Sequence, residues 1–108
     1  MAIEFILRTL RNLGVSEVAE VLGVSARTVG AWRHGTTVKQ NASRVVLVAQ
    51  LLTYLRASMT PRGMMMWFHA KRDQLDGNTP LQLLENDEAT AHRVLLSLAR
   101  GARGQLAD

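Results

Sequence analysis

A chain of 108 residues, 47% of them apolar and none of them cysteine, can bury the core of one domain or of two very small ones; it excludes a disulfide framework and a thiolate metal site. Its net charge of +4 is unevenly spread: the eight basic residues from Arg27 to Arg72 have no acid among them, whereas residues 73–108 hold six acids against Arg93, Arg100 and Arg103. That asymmetry points either to a polyanion partner for the first part and a different partner for the last, or to a solvated basic surface. The opening MAIEFILRTL is too short for a signal segment and is interrupted by Glu4 and Arg8, and no apolar run reaches bilayer length, so the reading is a soluble cytoplasmic protein.

Ile3, Ile6, Leu7, Leu10 and Leu13 fall at helical spacing and predict a first helix stopped near Gly14. Ser16 is placed to cap a second, with Val18, Ala19, Val21 and Leu22 inside it. After the turn Gly23-Val24-Ser25, Ser25 caps a third helix running to about His34, closed by Gly35. Ser43–Ala57 is apolar around most of its circumference, which predicts a helix buried on several sides or paired with another chain. Thr60-Pro61 opens a helix containing MMMWF, whose methionines and aromatics are expected to fill the core rather than line a ligand pocket. Asp76-Gly77-Asn78 is a turn, and Thr79-Pro80-Leu81-Gln82 is a capping box opening the short helix LQLLE. Asn86 or Asp87 then caps a last helix to about Arg100, and the tail GARGQLAD is expected to be irregular. With no strand pattern, the fold class is all-α: a helix-turn-helix bundle over residues 1–58 with its long connecting helix, then a small helical domain over 59–108.

The second and third helices meet the demands of a helix-turn-helix. Ala19 is small enough for a close crossing, Gly23 tolerates the turn, and Val24, Val29 and Trp32 face back to Val18 and Leu22. An ordinary helical hairpin would pack the same way, but the remaining surface is basic. Arg27 stands where a recognition helix reaches base edges, and its fork matches guanine O6 and N7. Thr28 fits a thymine methyl or a phosphate. Arg33, His34, Lys39 and Arg44 fit phosphates, although Lys39 and Arg44 serve equally well as free surface charges. The DNA-facing set is therefore Ser25, Arg27, Thr28, Arg33, Lys39 and Arg44.

From Val15 to Gly101 the sequence resembles the MbcA/ParS/Xre-type antitoxins. The resemblance is carried by an Xre-like helix-turn-helix ending in AWRHG, the aromatic pair Trp67-Phe68, the turn Leu75-Asp76-Gly77-Asn78-Thr79-Pro80, the Leu-rich Leu81–Leu84 and a final helix reaching Gly101. Residues HAKRDQ before that turn are more basic than the family pattern. The resemblance implies a type II antitoxin. Its partner would be a RES-domain toxin that consumes NAD⁺ or transfers ADP-ribose, held with the last helix and tail over the toxin's active-site cleft. The helix-turn-helix would bind and repress the operon's own promoter, and the chain would form a homodimer or a toxin–antitoxin hetero-oligomer. Val94, Leu95, Leu98 and Leu106 would anchor the toxin; Arg100, Gly101, Arg103 and Gly104 would enter the cleft. Read without the family, Val94, Leu95 and Leu98 are equally good core residues, and GARGQLAD equally a frayed end.

No nucleophile–base pair and no phosphate-cradling loop stands out, and Glu88 with His92 lacks further metal ligands, so neither enzyme activity nor a cofactor is expected. The competing reading is a stand-alone helix-turn-helix repressor whose C-terminal half only dimerises.

Overall fold

The structure, a computed structural model, describes residues 1–85 and 89–106, with the backbone course alone for 103–106. It is all-helical, with no strand among the described residues: α1 (Ala2–Thr9), α2 (Val15–Leu22), α3 (Ala26–Arg33), α4 (Ala42–Leu55), α5 (Pro61–His69), a 3₁₀ turn (Asp73–Leu75), α6 (Pro80–Leu84) and α7 (Ala89–Leu106). No described helix is long and apolar enough to cross a membrane.

α4 is the central element. Val45, Leu47, Val48, Leu51, Leu52 and Leu55 are buried on it, and it packs against α1, α2 and α7. Its near-circumferential apolar surface is what a helix needs when three others lie on it. One apolar cluster runs through the molecule, from Ile6 and Leu22 through Val29 and Trp32 to Phe68, Leu84 and Leu95. Met64, Met65, Trp67 and Phe68 enter it as expected of MMMWF, with the two rings edge to face at 5.2 Å, while Met66 turns outward.

The local start signals act largely as read. Ser25, Thr60 and Thr79 each accept a backbone N–H with their hydroxyls, and Gln82 completes the Thr79 capping box. Four expectations are corrected. The first helix ends at Thr9, although Leu10 and Leu13 of its stripe are still buried. Ser16 does not cap α2: the cap is Gly14, whose N–H is taken by the Glu17 carboxylate. α4 begins at Ala42, after Asn41 in a left-handed conformation. The tail is not irregular from Gly101, because α7 continues to Leu106. The cap expected at Asn86 or Asp87 lies outside the described residues.

Candidate functional site

α3 is shaped by its two ends. At the start, Ser25 Oγ accepts the Thr28 N–H at 3.1 Å and shares a 2.9 Å hydrogen bond with Thr28 Oγ1. At the finish, Gly35 in a left-handed conformation lets Thr36 N–H reach the Ala31 carbonyl and its own N–H reach that of Trp32. These two bonds form a Schellman motif that satisfies the last carbonyls. Val29 and Trp32 are buried, which leaves Arg27 and Arg33 on the exposed surface, with Lys39 exposed on the connection that follows. Arg33 is partly engaged, its Nη2 donating to the Leu13 carbonyl at 3.5 Å. A notch of about 300 Å³ separates α3 from the Thr36–Gln40 segment and brings Arg27, Thr28 and Lys39 to one place.

Arg44, expected to face phosphate, is turned inward and only 11% exposed. Its Nε donates to the Val21 carbonyl at 2.8 Å and its Nη2 to that of Glu20 at 3.1 Å, while Nη1 pairs with Glu85 at 3.2 Å. Asn41 Nδ2 donates to the Leu22 and Gly23 carbonyls at 3.1 and 2.9 Å. Together they cap the C-terminus of α2, where a cation also meets the negative end of the helix dipole. Gly23 has φ 69°, and a Cβ there would come within 2.7 Å of the Arg44 guanidinium, so both conformation and space require glycine.

Two of the three acids in residues 1–72, Glu17 and Glu20, lie against bases of α5. Arg62 grips the Glu17 carboxylate with both Nη atoms, and His69 Nε2 lies 3.0 Å from Glu20 Oε1. The Arg62 hydrogen bond, with the Gly14 N–H beside it, holds the Glu17 carboxyl below its ordinary pKa. Because the folded pKa is the lower one, the stabilisation is complete above the unfolded value of about 4.3 and is lost as pH falls through the native pKa. Acid titration of unfolding, followed by circular dichroism, should therefore show a shallower acid limb for Glu17→Gln than for the parent.

The residues expected to meet a toxin divide. Leu95 is fully buried in the core and is removed from the set; its contacts are with its own chain. Val94 is 38% exposed, Leu98 is half-buried, and Arg100 and Gly101 are exposed, with the Arg100 guanidinium over the Tyr54 ring at 5.7 Å. Arg103, Gly104 and Leu106 lie on the last turns of α7, where the backbone course alone is described. Val94, Leu98 and Gly101 share one flank of α7 and border a groove of about 480 Å³ whose other wall is Trp67, Arg72 and Leu75. Sequence reasoning missed this groove because the second wall comes from the end of α5 and the 3₁₀ turn beyond it, which only the fold brings to α7. It also missed Asn41, Arg62 and His69, whose partners lie 18 to 49 positions off along the chain.

One apolar core thus carries two surfaces that share no residue, an acid-free basic helix and a groove along the last helix. No protein-family model matches the chain. It is 39% identical over 84 residues to the probable mycobacterial cidal antitoxin Rv3188 of Mycobacterium tuberculosis (strain ATCC 25618 / H37Rv), covering 76% of this chain and 73% of that protein. The chain belongs to this family of mycobacterial cidal antitoxins. Its fold is also that of a chain in the crystal structure of the M. tuberculosis MbcT–MbcA toxin–antitoxin complex, with a TM-score of 0.73 at 20% identity over 97% of this chain and 93% of that one.

Proposed function

We propose that this chain neutralises a co-encoded RES-domain toxin, one that degrades NAD⁺ or transfers ADP-ribose, by laying the exposed flank and end of α7 over the toxin's active-site cleft. The reading rests above all on the relation to a cidal antitoxin over three-quarters of the chain. The exposed Val94, Arg100 and Gly101 give α7 a surface not consumed by its own core. Residues 59–108 form the toxin-binding part, and residues 1–58 form an Xre-like helix-turn-helix that binds the operon promoter and represses it. The chain acts in the cytoplasm, in a homodimer or a toxin–antitoxin hetero-oligomer.

Co-expression with the neighbouring reading frame tests the first role. Cells that die with the toxin alone and grow with the pair support it; death in both cases sinks it. A stand-alone repressor would leave the toxin active and still retard promoter DNA, so a gel shift on the same protein separates the two readings.

On DNA, Arg27, Thr28, Arg33 and Lys39 carry the contact, with Ser25 fixing the start of α3. Arg27→Ala should lower promoter-over-random discrimination by about 1–3 kcal/mol. Arg33→Ala and Lys39→Ala should weaken all sequences alike and reduce the salt slope by about one each. Fluorescence anisotropy across a salt series reads both quantities.

A further inference from the structure

The groove along α7 has a chemical bias that the neutralising role does not by itself require. Its floor and walls are apolar at Trp67, Leu75, Val94 and Leu98, and its charged lining is Arg72 and Arg93, with no acid among the described lining residues. Arg72 lays its guanidinium over the Trp67 ring at 5.4 Å, and Arg93 is exposed on the α7 side of the groove. Two guanidinium-bearing residues on one groove favour an anion, and an apolar floor favours an anion carried on an apolar neighbour.

We propose that this groove is an acid-recognition site: it takes an Asp or Glu side chain next to an apolar residue from a segment of the toxin, with Arg93 and Arg72 clamping the carboxylate. The proposal rests on the antitoxin reading for its partner, because the groove is continuous with the flank of α7 carrying Val94, Leu98 and Gly101. For the preference for an acid it rests on the lining alone.

The two tryptophans make the test direct. In ¹⁵N-labelled full-length protein the indole N–H of Trp67 reports the groove, and that of Trp32, on the buried face of α3, serves as the control. Titration with the capped dipeptide acetyl-Asp-Leu-amide should move the Trp67 signal saturably and leave Trp32 still, and acetyl-Asn-Leu-amide should move neither. Arg93 is exposed, so Arg93→Gln keeps the packing and should weaken the acidic dipeptide about fivefold or more, the loss of a charged hydrogen bond. Equal response to both dipeptides, or none to either, overturns the acid site. So does a Trp67 shift that grows with protein concentration alone, since that assigns the groove to a second copy. In the complex, toxin should displace the acidic dipeptide. A toxin that binds and rescues growth while the dipeptide stays bound removes the toxin from the groove and leaves neutralisation intact. A toxin that never binds sinks the antitoxin reading, with the dipeptide titration still deciding the groove's chemistry.

Discussion

Arg44→Ala is expected to destabilise the protein by about 2–4 kcal/mol, the range for removing several hydrogen bonds from one charged donor. Arg44 joins three elements: it donates to two carbonyls at the end of α2, stands on α4, and pairs with Glu85 after α6. Without it the Val21 carbonyl faces a partly closed space, the Glu20 carbonyl keeps only the Gly23 N–H, and the α2 dipole loses its cation. For a domain of this size the midpoint of thermal unfolding should fall by roughly 10 °C or more. Arg44→Lys should recover only part of this, because an ammonium cannot present the fork that spans both carbonyls and the carboxylate. Gly23→Ala should fail in the same region, through its positive φ and the collision of its methyl with that guanidinium. Urea denaturation with an unchanged m-value is the measurement. A variant within about 0.5 kcal/mol of the parent that instead loses DNA affinity would return Arg44 to the phosphate contact first expected of it.

This residue shows where the sequence is legible and where it is not. Codes that act over three or four positions were readable: the Ser25, Thr60 and Thr79 caps, Pro at the first helical position, and Gly35 after α3. Burial by spacing was readable too, so Leu10 and Leu13 are inside although the helix that predicted them stops at Thr9. An arginine in a basic stretch, by contrast, looks the same whether its partner is a phosphate or a carbonyl of its own chain. Only the tertiary contact between α2 and α4 decides. Glu17 shows both kinds: its capping of the Gly14 N–H spans three positions, whereas its pairing with Arg62, forty-five positions away, is tertiary.

Helix propensity misleads at the other end. Gly101 and Gly104 each disfavour helix by about 1 kcal/mol relative to alanine, which is why the tail was expected to be irregular. Yet a Cβ at Gly101 would meet nothing, so the glycine satisfies no local turn, and Ala102 beyond it packs against the core. Leu95 and Ala99 fix the axis of α7 on α4, and the helix continues along it.

The pairing of acids bears on how the basic half would meet DNA. Glu17 and Glu20 are the acids nearest α3 in sequence, and both are engaged by α5, through Arg62 and His69. The Arg62 guanidinium offsets the Glu17 charge where it stands, beside α2. It also makes α5, in the C-terminal part, a contributor to the electrostatics of the N-terminal part.

Removing Arg100–Asp108 is expected to abolish toxin neutralisation while leaving promoter binding largely intact. The fold tolerates the cut because the buried anchors of α7 precede it: Ala91, Leu95 and Ala99 are all inside. What goes with the segment among described contacts is the packing of Ala102 and the Arg100–Tyr54 cation–π contact, together about 1–2 kcal/mol. A truncated chain that still unfolds cooperatively and still shifts promoter DNA, but no longer rescues cells from the toxin, places neutralisation in the end of α7. The paired substitutions Val94→Asp and Leu95→Ala sharpen the result. Val94 is exposed on the groove flank, so its change should impair neutralisation without unfolding the chain. Leu95→Ala should instead destabilise by about 2–5 kcal/mol, the range for a cavity in a packed core, and any loss of rescue should follow the fraction unfolded. Full rescue by the truncated chain would move the toxin contact off the end of α7 altogether.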